Sequence, residues 1–278
     1  LVPPKSTDRQ ADLQTRGRIV GTMPETLLVI PCFDEARRLR TEVFSQFLQD
    51  DPDTDLLFVD DGSRDKTLEI LNSLAEGARG RVTVLSQSAN RGKAEAVRVG
   101  MNHAIAQGAR FAGYFDADLA TPLSELPRLR SVLEGNDEIE MVFGSRVQLL
   151  GRNIQRRPLR HYLGRVFATV ASEVLGLAVY DTQCGAKLFR LGPQVQALFA
   201  EPFLSNWVFD VELIARWRAA ESSGDAAPAN RVIYELPVDE WADVAGSKVR
   251  AADFARALVE IWRIRQRYLG GRKRRAAP

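Results

Sequence analysis

Two carboxylates one residue apart, Asp116 and Asp118, are the side chains of this sequence best placed to do chemistry. They directly follow residues 111–115, an apolar run that predicts a strand buried on both of its faces. Side chains alternate along a strand, so both carboxylates should point the same way where this strand ends. Crowded carboxylates repel each other unless a positive charge lies between them. Oxygen ligands of this kind suit Mg²⁺ or Mn²⁺ held jointly with the phosphates of a substrate.

An Asp-x-Asp triplet is also common in solvated turns, and taken alone it is a weak motif. Its position favours the metal-binding interpretation, because open α/β sheets bind ligands at the carboxyl ends of their strands. Two other phosphate-binding patterns are absent from the sequence, since no Gly-x-Gly-x-x-Gly follows the first apolar run and no Walker sequence occurs. Acids follow the apolar runs instead, which suits a site built around a cation and the ribose or base of a nucleotide.

The elements that must position these acids alternate between strand and helix. Apolar runs predict strands at 27–31, 56–59, 82–85 and 111–115. The spacing of apolar residues predicts a helix that ends near residue 48 and further helices at 66–75 and 92–107. This alternation favours a parallel sheet with helices on both faces.

The second half of the chain is less regular. Strands are predicted at 141–143, 186–191 and 232–236, a helix opens at 207–212, and a long amphipathic helix covers 250–268. Another amphipathic helix is expected around 156–167, in a stretch whose arginines are Arg152, Arg156, Arg157, Arg160 and Arg165. An arginine-rich helix face is usually just solvated, but interleaved apolar residues also suit a lipid phosphate or an anionic membrane surface.

The composition is that of an ordinary globular protein of 278 residues with a formal net charge of +2, so nothing in it indicates a nucleic-acid partner. The two cysteines, Cys32 and Cys184, suggest a reducing compartment rather than a disulfide framework. No apolar run in the sequence is long enough to span a bilayer, so we expect any membrane contact to be peripheral.

An apolar stripe along the C-terminal helix indicates either core packing or contact with a membrane. The basic tail at 271–278 favours association with anionic lipid. The residues of the stripe are Phe254, Leu258, Ile261, Trp262, Ile264 and Tyr268.

Eight short motifs, in order and at suitable spacing, resemble those of the family-2 glycosyltransferases. The first four lie at 29–35, 59–63, 90–93 and 116–118. The later four resemble the branch that contains dolichyl-phosphate β-glucosyltransferase and dolichol-phosphate mannose synthase, and they lie at 144–146, 181–189, 209–212 and 246–249. The resemblance implies an α/β fold of the glycosyltransferase A type, with a mainly parallel nucleotide-binding sheet flanked by helices and a C-terminal half on the acceptor side.

The resemblance also implies a domain organisation. Residues 26–270 would form a single glycosyltransferase domain. Residues 1–25 are polar, contain proline and lack periodicity, and that composition predicts a disordered tail. Within the domain we expect a nucleotide-sugar-binding half, an acceptor half and the amphipathic C-terminal helix, at 26–122, 123–249 and 250–270.

Roles for individual residues on the donor side follow from the same resemblance. Asp116 and Asp118 would hold Mg²⁺ or Mn²⁺ together with the donor's diphosphate, although Asp116 could face the ribose instead. The nucleotide sugar would contact Pro31, Phe33, Glu35, Asp61, Arg91, Lys93 and Asp116. Two of these have plainer interpretations, Phe33 as a core side chain and Glu35 as an acid at a helix N-terminus.

On the acceptor side the implied contacts are Arg146, Arg157, Gln183, Ser247 and Lys248, and the implied catalytic residues are Arg146 and Asp210. Where relatives glycosylate a hydroxyl, an acid at position 210 is the expected general base. A phosphate acceptor is already largely ionised at neutral pH, so Asp210 would then orient the donor sugar or the arginines. Asp210 could also be no more than an acid at a helix N-terminus.

These observations predict an inverting glycosyltransferase that moves a hexose, preferably glucose from UDP-glucose, to a polyprenyl or dolichyl phosphate at the cytoplasmic face of a membrane. The choice between UDP and GDP stays open. Two alternatives for the function also remain: the same donor chemistry on a soluble or glycan hydroxyl, and a protein that binds nucleotide sugars without catalysis.

Overall fold

The computed structural model describes residues 24–155, 158–244 and 251–270, and for 158–161 and 251–255 it describes the backbone alone. In the first half, strands and helices alternate as predicted. The strands are β1 (Thr26–Cys32), β2 (Thr54–Asp60), β3 (Val82–Ser86) and β4 (Phe111–Phe115). The helices between them are α1 (Thr41–Asp50), α2 (Thr67–Gly77) and α3 (Lys93–Ala106).

The second half contains more elements than its sequence pattern predicts. In chain order they are α4 (Leu126–Gly135), β5 (Met141–Ser145), β6 (Asn153–Gln155), α5 (Pro158–Leu175), β7 (Ala186–Arg190), α6 (Pro193–Ala200), α7 (Phe209–Ser223), α8 (Ala229–Val232), β8 (Ile233–Pro237), β9 (Glu240–Ala242) and α9 (Ala251–Ile264). The sequence did not predict α4, α6, α8 or the short strands β6 and β9. A π-helical turn, Arg265–Leu269, continues α9.

Seven strands form one sheet in the order β3-β2-β1-β4-β7-β5-β8, and β6 pairs with β9 in a separate two-stranded ribbon. In the large sheet every pairing is parallel except those of β7, which runs antiparallel to both β4 and β5. The prediction of a mainly parallel sheet is therefore confirmed. Lys187 on β7 lies opposite Tyr114 on β4 and opposite Phe143 on β5.

Helices cover both faces of the sheet, as the alternating pattern predicted. One core cluster joins alternate strand residues, such as Val29, to side chains of α3, α5, α6, α7 and α9. The other joins the intervening residues, such as Leu28, to side chains of α1, α2 and α4. Because successive side chains of a strand point to opposite faces, an almost uniformly apolar strand supplies both clusters.

The apolar stripe of the C-terminal helix is partly buried in the core and partly exposed to solvent. Ile261 and Ile264 are buried in the core and Tyr268 packs against it. Leu258 and Trp262 are exposed, Trp262 by 59% of its surface. The side chain of Phe254 lies outside the described residues. In the part of the chain that the structure describes, no helix has the length and apolar character needed to cross a bilayer.

Gly113 is required by the antiparallel contact between β4 and β7, because a Cβ at this position would overlap the carbonyl oxygen of Lys187. We expect Gly113→Ala to lower the free energy of unfolding by about 1–3 kcal/mol or more, as overpacking does in a tightly packed core. Urea unfolding checks this. Gly135→Ala, where a Cβ meets nothing within 4 Å, is the matched control and should leave stability unchanged or slightly higher. Equal unfolding midpoints for the two variants would contradict the prediction.

Candidate functional site

A cavity of about 330 Å³ opens where β4 and β5 end and α3 and α7 begin. It brings together six of the residues singled out in the sequence, which are Lys93, Asp116, Asp118, Arg146, Gln183 and Asp210. Helix α5 contributes Arg165 and Phe167, and the segment after β9 contributes Asp243 and Val244. The cavity thus joins residues of the predicted donor side and of the predicted acceptor side.

The two acids after β4 differ in their surroundings. The carboxylate of Asp116 forms an ion pair with the ammonium of Lys93 and lies so close to Gly185 that a Cβ there would overlap it. Asp118 accepts a hydrogen bond from the amide of Ala120 at 3.1 Å. Burial raises the pKa of Asp118, and the neighbouring charge of Asp116 raises it further. A cation beside the pair would relieve this repulsion.

These acids suit a cation that takes most of its ligands from elsewhere. Among the described residues, no group of three or more His, Cys, Asp or Glu side chains is arranged to hold a metal ion. Mg²⁺ and Mn²⁺ do not need such a group when they bind through one or two carboxylates together with water and substrate phosphates. Asp116 and Asp118 meet that lesser requirement.

Lys93 lies at the first position of α3, close enough to Asp116, Asp210 and Asp118 for all three carboxylates to stabilise its charge. Desolvation opposes its charged form, but the carboxylates of Asp116 and Asp210 raise the pKa of the ammonium above its ordinary value. The side chain is 39% exposed. A lysine so placed stays charged and can move from Asp116 to an incoming diphosphate.

Asp61 holds the loop that leads into α3. Its two carboxylate oxygens accept the amides of Arg91 at 2.8 Å and Gly92 at 2.7 Å. Burial raises the pKa of Asp61, although these two hydrogen bonds oppose the increase. Asp61 therefore stabilises the loop before α3 through these hydrogen bonds. The side chain of Arg91, in the same loop, is exposed. Contact of either residue with a nucleotide stays a prediction.

The remaining donor-side residues lie at the end of β1 and in the turn that follows it, and they are not among the residues that line the cavity. Pro31, Phe33 and Glu35 are all half-buried, and the choice between core packing and nucleotide contact for Phe33 stays open. The interpretation of Glu35 as an acid in the first turn of a helix is wrong, because α1 begins only at Thr41. Glu35 instead pairs with Arg38 at 2.5 Å, in a turn that delays the helix.

Arg146 is half-buried, with 14% of its side chain exposed, and its charge is matched within the protein. Its Nε and Nη2 atoms donate to the two carboxylate oxygens of Asp181 at 2.6 and 2.7 Å, and its guanidinium lies 5.2 Å from the ring centroid of Trp241. Burial opposes its charge, but Asp181 raises the pKa of Arg146 further above its ordinary value. This fork-to-fork pairing fixes the guanidinium at the cavity wall. Asp181 lies within the motif at 181–189, and nothing in the local sequence indicates that it pairs with Arg146.

Of the two described arginines that line the cavity, Arg165 makes fewer hydrogen bonds than Arg146. It donates to the carbonyl oxygen of Tyr180 at 3.3 Å and lies 3.8 Å from the centroid of that ring. No carboxylate pairs with it among the described residues. Gln183, also at the cavity wall, has a buried side-chain nitrogen that finds no hydrogen-bond partner within the described part of the chain. The predicted acceptor contacts Arg157, Ser247 and Lys248 lie outside the described residues.

Asp210 is the second residue of α7, so it does lie at a helix N-terminus. It also has two partners that sequence analysis missed. The hydroxyl of Tyr114 donates to its Oδ1 atom, and the ammonium of Lys187 lies 2.7 Å from the same oxygen. Burial and the charge of Asp210 raise the pKa of Tyr114 well above its ordinary value. The only local signal of this arrangement was a lysine within the otherwise apolar run at 186–189.

The sequence of this chain is similar to those of known glycosyltransferases. A family model described as glycosyl transferase family 2 matches residues 27–193. Dolichyl-phosphate beta-glucosyltransferase of Drosophila melanogaster is 30% identical over 278 residues, covering 89% of this chain and 76% of the relative. The protein of the same name from Saccharomyces cerevisiae is 29% identical, covering 88% of this chain and 75% of the relative.

Among solved structures, glucosyl-3-phosphoglycerate synthase from Mycobacterium tuberculosis, in complex with Mn²⁺ and UDP-glucose, superposes with a TM-score of 0.59. The match covers 88% of this chain and 79% of the synthase at 17% sequence identity. A second crystal structure of the same enzyme gives a TM-score of 0.58. At this level of identity the similarity concerns the fold alone, and it confirms the predicted glycosyltransferase A architecture.

Proposed function

The chain belongs to glycosyl transferase family 2, and we propose that it is an inverting enzyme that transfers glucose from UDP-glucose to a polyprenyl phosphate of the dolichyl type. The names of its relatives support this donor sugar and this acceptor. The observation that carries the proposal is the composition of the cavity. Its lining includes the neighbouring acids Asp116 and Asp118 and also two arginines, Arg146 and Arg165, with apolar side chains.

The acidic part of the cavity suits the donor. Asp116 and Asp118 would hold a Mg²⁺ or Mn²⁺ ion, which when bound neutralises charge on the diphosphate that leaves. Lys93, next to Asp116, adds a second positive charge to that region. In the proposed displacement a phosphate oxygen of the acceptor bonds to C1 of glucose. The bond from C1 to UDP breaks, and its electron pair leaves with UDP.

The cationic part of the cavity suits a lipid phosphate. Arg165 and the side-chain nitrogen of Gln183 can donate hydrogen bonds to a phosphate. Arg146 adds a positive charge that its pairing with Asp181 holds in place. Phe167 and Trp241 provide apolar surface beside them. A phosphate monoester has a second pKa near 6 and so arrives already largely ionised. The acceptor therefore has no need of a general base, which agrees with the ion-paired state of Asp210.

An exposed apolar face supports action at a membrane. On α5, Tyr162 and Val166 are exposed one helical turn apart, and on α9 Leu258 and Trp262 are exposed in the same way. The two helices are in contact. We infer that this face rests on the cytoplasmic surface of a membrane, where the basic residues at 272–275 would meet anionic lipid.

Replacement of Asp118 tests the metal ligands. Asp118→Asn keeps the volume but removes one anionic ligand, so we expect turnover to fall below detection and the affinity for UDP to become insensitive to Mn²⁺. Calorimetric titration with UDP, with and without Mn²⁺, measures the second effect independently of activity. Asp137→Asn, at an exposed position, is the control and should behave as wild type. Full turnover by Asp118→Asn in excess EDTA would contradict the assignment.

Single-turnover transfer to a short-chain polyprenyl phosphate tests the acceptor class. We expect Arg165→Ala to lower the rate about 10- to 100-fold, since a hydrogen bond to a charged group is worth about 1.5–3 kcal/mol. Arg146→Ala and Arg157→Ala should each be at least as damaging as Asp210→Asn. Arg231→Ala, at an exposed position on α8, is the control.

A hydroxyl acceptor would reverse this order. Asp210→Asn would then cost roughly 10²–10⁴ in rate, as loss of a general base does, and the arginine variants would matter little. Undiminished transfer to the lipid phosphate by the variants at positions 146, 157 and 165 would contradict the proposed acceptor.

Liposome flotation tests the membrane face. We expect Trp262→Ser to weaken binding to vesicles, and removal of residues 272–278 to weaken it specifically on anionic vesicles, by about 1 kcal/mol for each Lys or Arg near the surface. Tyr234→Ser on the edge strand β8 replaces another exposed aromatic residue and is the control. Binding that ignores both Trp262 and anionic lipid content would rule this face out.

A further inference from the structure

Lys187 is a charged residue buried completely inside the sheet. None of its surface is exposed, and its ammonium lies 5.4 and 5.0 Å from the ring centroids of Tyr114 and Phe143 on the neighbouring strands. It donates a hydrogen bond to the carbonyl oxygen of Cys184 at 2.6 Å. A buried ammonium costs several kcal/mol unless a counter-charge accompanies it. The counter-charge here is Asp210, 2.7 Å away.

Tyr114 approaches the same carboxylate from β4. Its ring is held between Phe189 and Phe209, at centroid distances of 6.1 and 5.6 Å, and its hydroxyl donates to Oδ1 of Asp210. Both partners therefore use a single oxygen of the carboxylate. Neither Tyr114 nor Lys187 lines the cavity, whereas Asp210 does.

This geometry leaves the second oxygen of Asp210 for the cavity. The hydrogen bond from Tyr114 and the shortest contact with Lys187 both involve Oδ1, and among the described residues no hydrogen bond reaches Oδ2. We propose that Lys187 and Tyr114 are positioning residues, which lock Oδ1 of Asp210 so that Oδ2 accepts a hydrogen bond from a hydroxyl of the donor sugar. This inference rests on the proposed function, since it assigns the sugar to the part of the cavity between Asp210 and the metal-binding acids.

The arrangement suits the orientation of a hydroxyl group. Two donors hold Oδ1 of Asp210, one of them with a full positive charge, while Oδ2 remains available as an acceptor. A carboxylate held in this way is fixed in direction. It orients a hydroxyl group well, because one well-placed hydrogen bond holds the sugar ring with its C1 atom toward the acceptor.

A double-mutant cycle separates positioning from simple structural support. Tyr114→Phe removes only the hydroxyl and keeps the packed ring. We expect it to lower kcat for release of UDP from UDP-glucose about tenfold, the rate equivalent of one hydrogen bond to a charged group, with KM for the donor little changed. In an Asp210→Asn background the same change should have no further effect. Thr26→Val, which removes an unpartnered buried hydroxyl at the far end of β1, should leave kcat unchanged.

Full additivity of Tyr114→Phe and Asp210→Asn, or an unchanged kcat in Tyr114→Phe, would overturn the proposal. The release of UDP is followed both with and without polyprenyl phosphate. Hydrolysis of the donor without lipid transfer would refute the proposed acceptor and still allow the cycle to be measured.

Lys187 is tested by stability, because Lys187→Met leaves a buried carboxylate without its counter-ion and is expected to fold poorly. The double variant Lys187→Met with Asp210→Asn removes both charges. We expect its urea midpoint to recover most of what Lys187→Met loses, while kcat stays low. If the double variant loses at least as much stability as the two single variants lose together, the pairing is overturned. This result holds even if the wild-type protein shows no turnover.

Discussion

The close passage of β7 between β4 and β5 is the constraint on which the rest of the site depends. Gly113 admits the carbonyl oxygen of Lys187, and Gly185 admits the carboxylate of Asp116, so in both places a Cβ would overlap the neighbour. Through these contacts the antiparallel strand brings the segment at 181–185 to the same cavity as Asp116 and Asp118. Residues from the two halves of the chain thereby share one cavity, which neither half could form alone.

Charge compensation then decides which groups of the cavity remain available. Arg146 is matched by Asp181 and Lys187 by Asp210, and both pairs are largely buried. Breaking such a pair costs about 3–5 kcal/mol, so these groups are fixed in place rather than free to follow a substrate. Within the described chain, Asp118 and Arg165 are left without an ion-pair partner. One suits a cation and the other an anion, in keeping with a metal-bound donor and a phosphate acceptor.

Helix α5 links this cavity to the surface of the molecule. Phe167 and Ala171 lie one turn apart on its buried side, and Tyr162 and Val166 lie one turn apart on its exposed side. Arg165 lies between these two sides and reaches the cavity wall. Because the helix has 3.6 residues per turn, one side of α5 packs in the core, another presents apolar side chains to solvent, and the arginine lies between them. An amphipathic acceptor with a charged head and an apolar tail matches that order.

By itself, the sequence determined the strands and helices of the first half, the acids at the ends of buried strands and the order of motifs that indicates the family. These depend on short-range periodicity and on which residues follow an apolar run, both of which are readable locally. Only the tertiary structure decided that β7 runs antiparallel, that Asp181 matches Arg146 and that Glu35 precedes α1 rather than opening it. Tyr114 meets Asp210 across 96 positions of the chain. No local pattern encodes such a pairing, because it arises only when the strands close into one sheet and α7 packs against it.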